Sequence, residues 1–265
     1  MSKKTILLIF LMVTSFIVFG CGKAKKNITL AGSTAFQPFA EKLADQYMQT
    51  KNDITITVQG GGSAVGIQAA LSGSADIGMA DLVELPSEAK ELVATVVARD
   101  GIAIVVHPQN TAAELTTQQI RDIFNGNITN WKELGGADAP ITVVSREAGS
   151  GTRSSFEEIV DSVRLRKDAL IQDSNGTIRE TVANDPNAIG YLSHGLINEK
   201  IKALKVDGQV SSEESIIAGK YKLVRPIFLL VKGNPAGDIK EFLDYILSAE
   251  GQQTIKENGL LPAKS

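Results

Sequence analysis

The chain has 265 residues, 43% apolar side chains, 22% charged side chains and a formal net charge of −3. This apolar content is too high for a disordered chain, and the acidic balance offers no broad basic face, so we expect no nucleic-acid partner. Two histidines and one cysteine leave little for a metal site and exclude an internal disulfide, so no metal or other cofactor is expected. The length allows one large domain or two of roughly 100–150 residues.

The start of the chain has the pattern of an export signal. Two lysines precede an apolar run from Ile6 to Phe19, which is shorter than the roughly 20 residues needed to span a bilayer. The run ends at Gly20-Cys21, which resembles a bacterial lipobox, where the cysteine is lipidated and becomes the new N-terminus. We therefore expect a lipoprotein signal peptide over 1–20, lipid attachment at Cys21, a tether over 21–26 and a position on the outer face of the cell membrane. A permanent membrane helix and a free buried cysteine are the alternatives.

After the tether, short β-rich runs alternate with amphipathic stretches, a pattern typical of βαβ units and largely parallel sheets. In chain order, strands are predicted at Asn27–Ala31, Ile54–Val58, Ala75–Ala80, Ile102–His107, Ile141–Ser145, Ala188–Leu192 and Ile227–Val231. Helices are predicted at Phe36–Met48, Ala64–Leu71, Thr117–Phe124, Thr152–Leu165, near Ile178–Ala183, Asp238–Leu247 and Ala249–Asn258.

The last two predicted helices are followed by no predicted strand, so they must bury their apolar faces on an earlier sheet. This favours a discontinuous arrangement, with domain I formed by 27–103 and 228–265 and domain II by 104–227. The chain would cross between the domains at the buried strands that contain Ile102 and Ile227.

Three clusters of glycine and hydroxyl residues lie where a predicted strand is followed by a predicted helix. They are Gly32-Ser33-Thr34-Ala35, Gly60-Gly61-Gly62-Ser63-Ala64 and Gly149-Ser150-Gly151-Thr152. A helix N-terminus offers unpaired N–H groups and the positive end of the helix dipole, which suit an anion. One such cluster would be ordinary capping and turn chemistry. Three at equivalent places favour a single anion site at the carboxyl ends of the strands.

Two charged residues follow predicted strands close to these clusters. Arg146 can present a planar fork to two oxygens of an oxyanion, and a surface ion pair with Glu147 is the alternative. Asp81 would repel an anion unless that anion carries a proton to donate. Monohydrogen phosphate has such a proton, whereas sulfate has none and would leave the carboxylate uncompensated. The alternative for Asp81 is a helix cap.

At these residues the sequence resembles the phosphate-binding proteins of bacterial phosphate ABC transporters, over essentially the whole mature chain. The similar segments are LAGSTAFQPFAEKLADQY, VQGGGSAVGIQAALSGSADIGMADL, IRDIFNGNITNWKELGG, VVSREAGSGTRSSFEE and NAIGYLS. The resemblance implies a two-lobed α/β fold of the periplasmic-binding-protein type (type II), with the ligand cleft between two α/β domains joined by two crossing strands. It implies inorganic phosphate as ligand and delivery to the membrane permease of an ABC transporter.

The resemblance also implies which residues bind phosphate. They are Thr34, the backbone of Ala35, Ser63, Asp81, Arg146, Ser150, Gly151 and Thr152. Some family members carry an aromatic residue in place of Ala35, and some carry an aspartate that pairs with the arginine in place of Ala148. Whether Glu147 replaces that aspartate is open at this point. Trp131 and Tyr191 are expected to have structural roles.

Other functions are compatible with parts of the pattern. Sulfate or molybdate could occupy the same site, and a surface phosphate sensor or adhesion lipoprotein could share the fold. In each case we expect the chain to be a monomer. A phosphatase would need an activated nucleophile or a metal, and no residue is placed to deprotonate Ser150. We therefore expect a binding protein and not an enzyme.

Overall fold

The computed structural model describes residues 26–263, so the predicted signal peptide and Cys21 lie outside the described residues. The main strands are β1 (Lys26–Gly32), β2 (Ile54–Gln59), β3 (Ile77–Asp81), β4 (Leu92–Val106), β5 (Glu114–Leu115), β6 (Thr142–Arg146), β7 (Leu170–Gln172), β8 (Ala188–Ser193), β9 (Lys202–Ala203), β10 (Lys205–Val206), β11 (Val224–Lys232) and β12 (Leu261–Pro262). The α-helices are α1 (Gln37–Thr50), α2 (Ser63–Ser72), α3 (Thr117–Asn125), α4 (Gly151–Val160), α5 (Asn175–Asn184), α6 (Glu213–Ile217), α7 (Gly237–Leu247) and α8 (Ala249–Glu257). None of them is both long and apolar enough to cross a bilayer.

The central sheet has the strand order β2-β1-β3-β11-β4-β8-β6-β7. Its two ends are parallel, because β1 pairs in parallel with β2 and β3, and β6 with β7 and β8. The middle is antiparallel, since β11 pairs with β3 and β4, and β4 pairs with β8. The expectation of largely parallel sheets therefore describes the two ends and was wrong for the centre.

The antiparallel centre is built on β4, which runs for 15 residues. The sequence predicted only its second half, from Ile102. The first half contains the half-exposed Val93 and Val96 and the charged residues Arg99 and Asp100, which interrupt the apolar pattern. In the sheet Asp100 is fully buried and lies opposite Arg225 of β11.

Two large hydrophobic cores lie on either side of this centre. The first groups side chains of β1 to β3, α1 and α7, including Leu30, Phe39, Met79 and Phe242. The second groups side chains of β4, β8, α3 and α4, including Ile104, Phe124, Phe156 and Tyr191. The two strands β4 and β11 contribute to the first core, and β4 continues into the second. The division into 27–103 plus 228–265 and 104–227 stays a prediction.

Two details of the predicted elements were wrong. Helix α4 ends at Val160 and not at Leu165, because Asp161 and Ser162 adopt positive φ angles of 58° and 52°, outside the right-handed helical region. A strand does follow the last helix, since Leu261–Pro262 pairs with β4 at Arg99 and Ala98.

Trp131 and Tyr191 have the structural roles expected of them. Trp131 is buried and its indole N–H donates to the carbonyl of Asn187 at 2.9 Å. The Tyr191 hydroxyl lies 2.8 Å from Ser145 Oγ within the second core. Burial raises the pKa of Tyr191 to about 12, so the phenol stays protonated and can donate.

Candidate anion-binding site

The three predicted turns meet at one place in the fold. The turn after β1 is joined to the turn after β2 by a hydrogen bond from Gly62 N–H to the Gly32 carbonyl, at 2.9 Å. The turn after β2 is joined to the turn after β6 by a bond from Ala64 N–H to the Gly149 carbonyl, at 3.1 Å. The N-termini of α1, α2 and α4 therefore converge, as equivalent places at the carboxyl ends of strands allow.

This convergence depends on glycine at two of the turns. Gly32 has a φ angle of +132°, and a Cβ atom there would lie 2.2 Å from the Met79 carbonyl oxygen. A Cβ atom on Gly151 would lie 2.5 Å from the Asp81 carbonyl oxygen. Any larger residue would push the helix ends apart, so the missing side chains allow the backbone segments to approach.

Asp81 lies at the centre of this arrangement. It is the last residue of β3 and is 2% exposed. Its Oδ1 atom accepts a hydrogen bond from Ser63 Oγ at 2.9 Å, and its Oδ2 atom accepts one from Thr152 Oγ1 at 3.0 Å. Its own N–H donates to Ser63 Oγ at 3.0 Å. Asp81 thus binds both helix ends and does not cap a helix of its own.

Thr34 belongs to the same site through a residue that the sequence did not single out. Asn175, the first residue of α5, donates from Nδ2 to Thr34 Oγ1 at 3.1 Å. The Asn175 Oδ1 atom accepts from Ser193 N–H at 3.0 Å, which fixes the amide orientation. Ala35 follows Thr34 and is fully buried just before α1.

Arg146 ends β6 and is 1% exposed, so the alternative of a surface arginine was wrong. Its ion pair with Glu147 is nevertheless present and has two points: Nε donates to Oε2 at 2.9 Å and Nη2 donates to Oε1 at 2.8 Å. Nη2 also donates to the Asp173 carbonyl at 3.2 Å. The remaining nitrogen, Nη1, is buried and has no hydrogen-bond partner among residues 26–263. The guanidinium is thus held on one edge while its other edge keeps a donor.

Ser150 and Gly151 complete the third turn. The Ser150 side chain caps α4 by accepting from Arg153 N–H at 3.2 Å, and Gly151 is the first helical residue. Both are buried. The serine has the ordinary role of an N-cap here, and the N-terminus that it caps points at Asp81.

A second buried arginine, Arg225, adjoins Asp81. Its Nη2 atom lies 2.8 Å from Asp81 Oδ2 and 2.9 Å from Asp100 Oδ2. The same nitrogen donates to Thr152 Oγ1 at 3.2 Å. Ser193 Oγ donates to the other oxygen of Asp100 at 2.9 Å. Burial raises the pKa of Asp100 to about 6, against the opposing effects of the Arg225 charge and the Ser193 hydrogen bond.

No group of three or more histidine, cysteine, aspartate or glutamate side chains suited to a metal occurs in the described part of the chain. A cavity of about 430 Å³ adjoins the convergence point and is lined by Ser63, Gly149, Gly151, Glu84 and Glu158, among others. Asp81, Thr34 and Arg146 do not line this cavity, so of the predicted site residues it reaches only Ser63 and Gly151.

Comparison with known proteins agrees with this geometry. The sequence model of the PBP superfamily domain matches residues 20–250. The phosphate-binding protein PstS of Bacillus subtilis (strain 168) is 33% identical over 284 aligned positions, which cover 98% of this chain and 95% of the relative. The chain belongs to the PstS family of phosphate-binding proteins.

Solved structures of related proteins have the same fold. A Clostridium perfringens protein assigned as a phosphate ABC transporter substrate-binding protein, with bound phosphate, is 40% identical with a TM-score of 0.86. It matches 89% of this chain and 99% of its own. An ABC-type phosphate transport receptor from Vibrio cholerae is 35% identical, with a TM-score of 0.73, over 88% of this chain and 99% of its own. The predicted α/β periplasmic-binding-protein fold is confirmed.

In this PstS-family chain the two departures noted in the sequence have simple structural consequences. Glu147 makes the two-point contact with Arg146, so the neighbouring Ala148 leaves the arginine with a carboxylate partner. The alanine at position 35 is fully buried, so its side chain occupies a small closed space.

Two buried polar residues of the site, Asn175 and Arg225, were not predicted. The Ser174 to Thr177 capping pattern marks the start of α5 and could have drawn attention to Asn175. Arg225 had no such local signal, because its partners Asp81 and Asp100 are more than 100 positions away in sequence.

Proposed function

We propose that this chain is an extracytoplasmic binding protein that captures inorganic phosphate between two lobes and delivers it to the permease of an ABC transporter. The observation that carries the proposal is the buried Asp81 carboxylate at the meeting point of three helix N-termini. Helix N-termini favour an anion, and a buried carboxylate there requires that the anion bring a proton.

The proposed ligand contacts divide between the two sides of the cleft. Thr34, the Ala35 backbone, Ser63 and Asp81 would bind from the side of β1 to β3. The second side would be formed by Arg146, Ser150, Gly151 and Thr152. The free Nη1 donor of Arg146 supports this arrangement, because a buried donor without a partner is costly until an acceptor arrives.

Selectivity would follow from the proton on the ligand. Ser63 and Thr152 donate hydroxyl protons to Asp81, and a hydroxyl can rotate to donate to a phosphate oxygen instead. Asp81 would then accept the P–OH proton of monohydrogen phosphate. Sulfate has no such proton, so a bound sulfate would leave oxygen lone pairs against the carboxylate, at a cost of roughly 1–3 kcal/mol or more.

Closure of two lobes would couple binding to transport. In this proposal domain I comprises 27–103 and 228–265, domain II comprises 104–227, and the crossing strands are β4 and β11. The hydrogen bonds from Thr152 to Asp81 and from Asn175 to Thr34 would join the lobes. A ligand that contacts both sides favours the closed arrangement by its higher affinity for it.

We propose in addition that residues 1–20 are removed, that Cys21 carries the lipid that holds the chain at the membrane, and that the chain works as a monomer. The named relatives are phosphate-binding or substrate-binding transport proteins, and we propose binding without catalysis for this chain as well.

The direct test is isothermal titration of the chain from Lys23 onward with phosphate, sulfate and molybdate. The protein is first freed of carried-over phosphate by partial unfolding and dialysis. We expect saturable binding of about one phosphate per chain and no detectable heat of binding for sulfate. Binding of sulfate or molybdate with phosphate silent would keep the anion site and overturn the proposed ligand. Silence with all three anions would overturn the binding function.

A further inference from the structure

Arg225 is buried in the strand pair at the centre of the sheet and touches the carboxylate of the candidate site. Its side chain is fully buried, and it lies 2.8 Å from Asp81 and 2.9 Å from Asp100. It has no place among the residues expected to bind phosphate. A buried cation of this kind is costly unless it is paired, and both partners of Arg225 are buried carboxyl groups.

We propose that Arg225 is a positioning residue for anion selectivity, which holds Asp81 ionised and so makes the site select an oxyanion that carries a proton. The inference rests on the proposed phosphate function of the same site. It adds one element to that function: the discrimination between phosphate and sulfate would depend on Arg225, a residue that does not contact the ligand.

Asp81 is buried, and burial penalises a charged side chain. A carboxylate that is 2% exposed loses nearly all its hydration, which favours the protonated acid. A protonated carboxyl group donates a hydrogen bond, and a donor suits the lone pairs of sulfate as well as those of phosphate. Selectivity for a protonated oxyanion therefore fails unless a neighbouring cation keeps the carboxylate charged.

Arg225 has the chemistry that this task requires. A guanidinium does not lose its proton in proteins, so the compensation persists over the whole pH range in which the chain folds. Its Nη2 atom contacts Asp81 Oδ2, which also accepts from Thr152. The other oxygen, Oδ1, accepts from the rotatable hydroxyl of Ser63. This leaves Oδ1 as the oxygen that would take the proton of the ligand.

The other groups that face Asp81 come from three elements. Asp100 on β4 shares the same guanidinium nitrogen and is the competing negative charge. Ser63 on α2 and Thr152 on α4 donate hydroxyl protons, and Ser155 Oγ on α4 donates to the Asp81 carbonyl at 3.3 Å. Removal of Arg225 would thus leave Asp81 facing only neutral donors among these groups, beside a second buried acid, Asp100.

The experiment compares phosphate and sulfate binding to the full chain in detergent at about pH 5.5 and about pH 8, by isothermal titration. Sulfate stays fully ionised over this range, so any change in its binding reports a proton on the protein. Because phosphate itself gains a proton over this range, each variant is compared with the wild type at the same pH. In Arg225→Met we expect the phosphate-to-sulfate affinity ratio at the lower pH to be tenfold or more below the wild-type ratio, because Asp81 takes up a proton and sulfate binding increases. At about pH 8 the ratio should equal that of the wild type at the same pH.

Two further variants separate this role from a structural one. Arg225→Lys keeps the charge, and we expect a ratio close to that of the wild type at both pH values. Asp100→Asn removes the competing carboxylate and keeps the contact between Arg225 and Asp81, so it should keep the ratio as well. A general loss of structure would weaken phosphate and sulfate together and would not produce a gain of sulfate binding at the lower pH.

If Arg225→Met does not fold, the Arg225→Met/Asp100→Asn double variant, which removes the Asp100 carboxyl group together with the guanidinium, is titrated instead, with the same expectation. As a measurement on the unaltered residue, the carboxyl ¹³C shift of Asp81 in the wild type should report an ionised group at about pH 5.5, and a protonated group there would overturn the inference. A phosphate-to-sulfate ratio in a folded Arg225→Met chain that equals the wild-type ratio at both pH values would also overturn it and leave the phosphate function standing. Absence of phosphate binding in the wild type would overturn the phosphate function itself.

Discussion

Gly151 packs so tightly on Ser63 that a Cβ atom added to Gly151 would lie 2.1 Å from Ser63 Oγ. The first residue of α4 therefore meets the first residue of α2 with no room between them. The same serine hydroxyl donates to Asp81. A change in how the two helix ends pack would therefore also change the hydrogen bonding of the Asp81 carboxylate.

The first prediction concerns this contact. Gly151→Ala should weaken phosphate binding by roughly ten- to a hundredfold, because overpacking costs about 1–3 kcal/mol in the arrangement that brings the helix ends together. The midpoint of urea unfolding without ligand should change much less, since in the proposed open state of the unliganded chain the helix ends are apart and can accommodate a methyl group. Isothermal titration and urea unfolding monitored by circular dichroism measure the two effects.

Gly149→Ala is the matched control, because it adds the same methyl group to the same turn. A Cβ atom there would be 3.5 Å from Ala64 Cβ, which is an ordinary van der Waals contact. We expect its phosphate affinity to stay within about threefold of the wild type. Equal losses in the two variants would mean that the whole turn, and not the Gly151 contact, is sensitive.

The second prediction concerns the charge on Asp81. Asp81→Asn replaces a carboxylate oxygen by an amide N–H₂ donor, so phosphate should lose its acceptor and sulfate should lose its repulsion. We expect phosphate affinity to fall by roughly ten- to a hundredfold and the preference over sulfate to narrow, as measured by titration with both anions.

Asp76→Asn is the control for this substitution. Asp76 precedes the same strand and accepts from Thr29 N–H at 2.8 Å, away from the convergence of the helix ends. Its replacement should leave the ratio of the two affinities unchanged. An unchanged phosphate affinity and an unchanged ratio in Asp81→Asn would remove Asp81 from the proposed site.

The third prediction concerns the guanidinium fork of Arg146. Arg146→Lys keeps the positive charge and loses the planar geometry by which Glu147 holds one edge while Nη1 stays available. We expect at least a roughly tenfold loss of affinity for phosphate. Glu147→Gln should give a smaller loss, since the arginine stays in place with a weaker partner.

Arg166→Lys is the comparison for Arg146. Arg166 also forms a two-point contact, with Asp168, at 2.6 Å for both bonds, but its partner is an exposed surface carboxylate. Its replacement should leave phosphate titration unchanged. If Arg146→Lys binds phosphate as the wild type does, the fork is not part of the site.

The parts of this site that are formed by residues close together in the chain could be predicted from the sequence. A glycine and hydroxyl cluster between a strand and a helix is a contiguous signal, and the three clusters do meet. The ion pair of Arg146 with Glu147 joins neighbours in the chain, so it could be anticipated as an alternative. What the sequence did not indicate is that Arg146 of this pair is buried, since burial depends on how β6 lies in the sheet.

The parts that could not be predicted depend on long-range contacts. The first half of β4 contains Arg99 and Asp100, whose charges are typical of an exposed segment. Only the pairing with β11 shows that Asp100 has a buried cation as partner. The end of α4 at Val160 could not be predicted for a different reason. No glycine or proline follows the helix there, and the two residues after it, Asp161 and Ser162, are non-glycine residues with positive φ.

The fourth prediction concerns the pH dependence of stability. Burial raises the pKa of Asp100 from its usual 3.8 to about 6, so the folded chain binds this proton more tightly than the unfolded chain does. Asp100 therefore contributes stability that is fully present below about pH 4 and is lost as the pH rises to about 6. The corresponding loss is about 2–3 kcal/mol.

Urea unfolding of the wild type and of Asp100→Asn at about pH 4, 5, 6 and 7 tests this, because the difference between the two curves isolates one carboxyl group. We expect the stability of the wild type to decline relative to the variant between about pH 4 and pH 6. Asp168→Asn should give a small change of the opposite sign, since hydrogen bonding to Arg166 lowers the pKa of Asp168. A difference between the wild type and Asp100→Asn that does not vary with pH would mean that Arg225 keeps Asp100 ionised throughout. Asp100 and Asp81 would then share one guanidinium as two permanent charges.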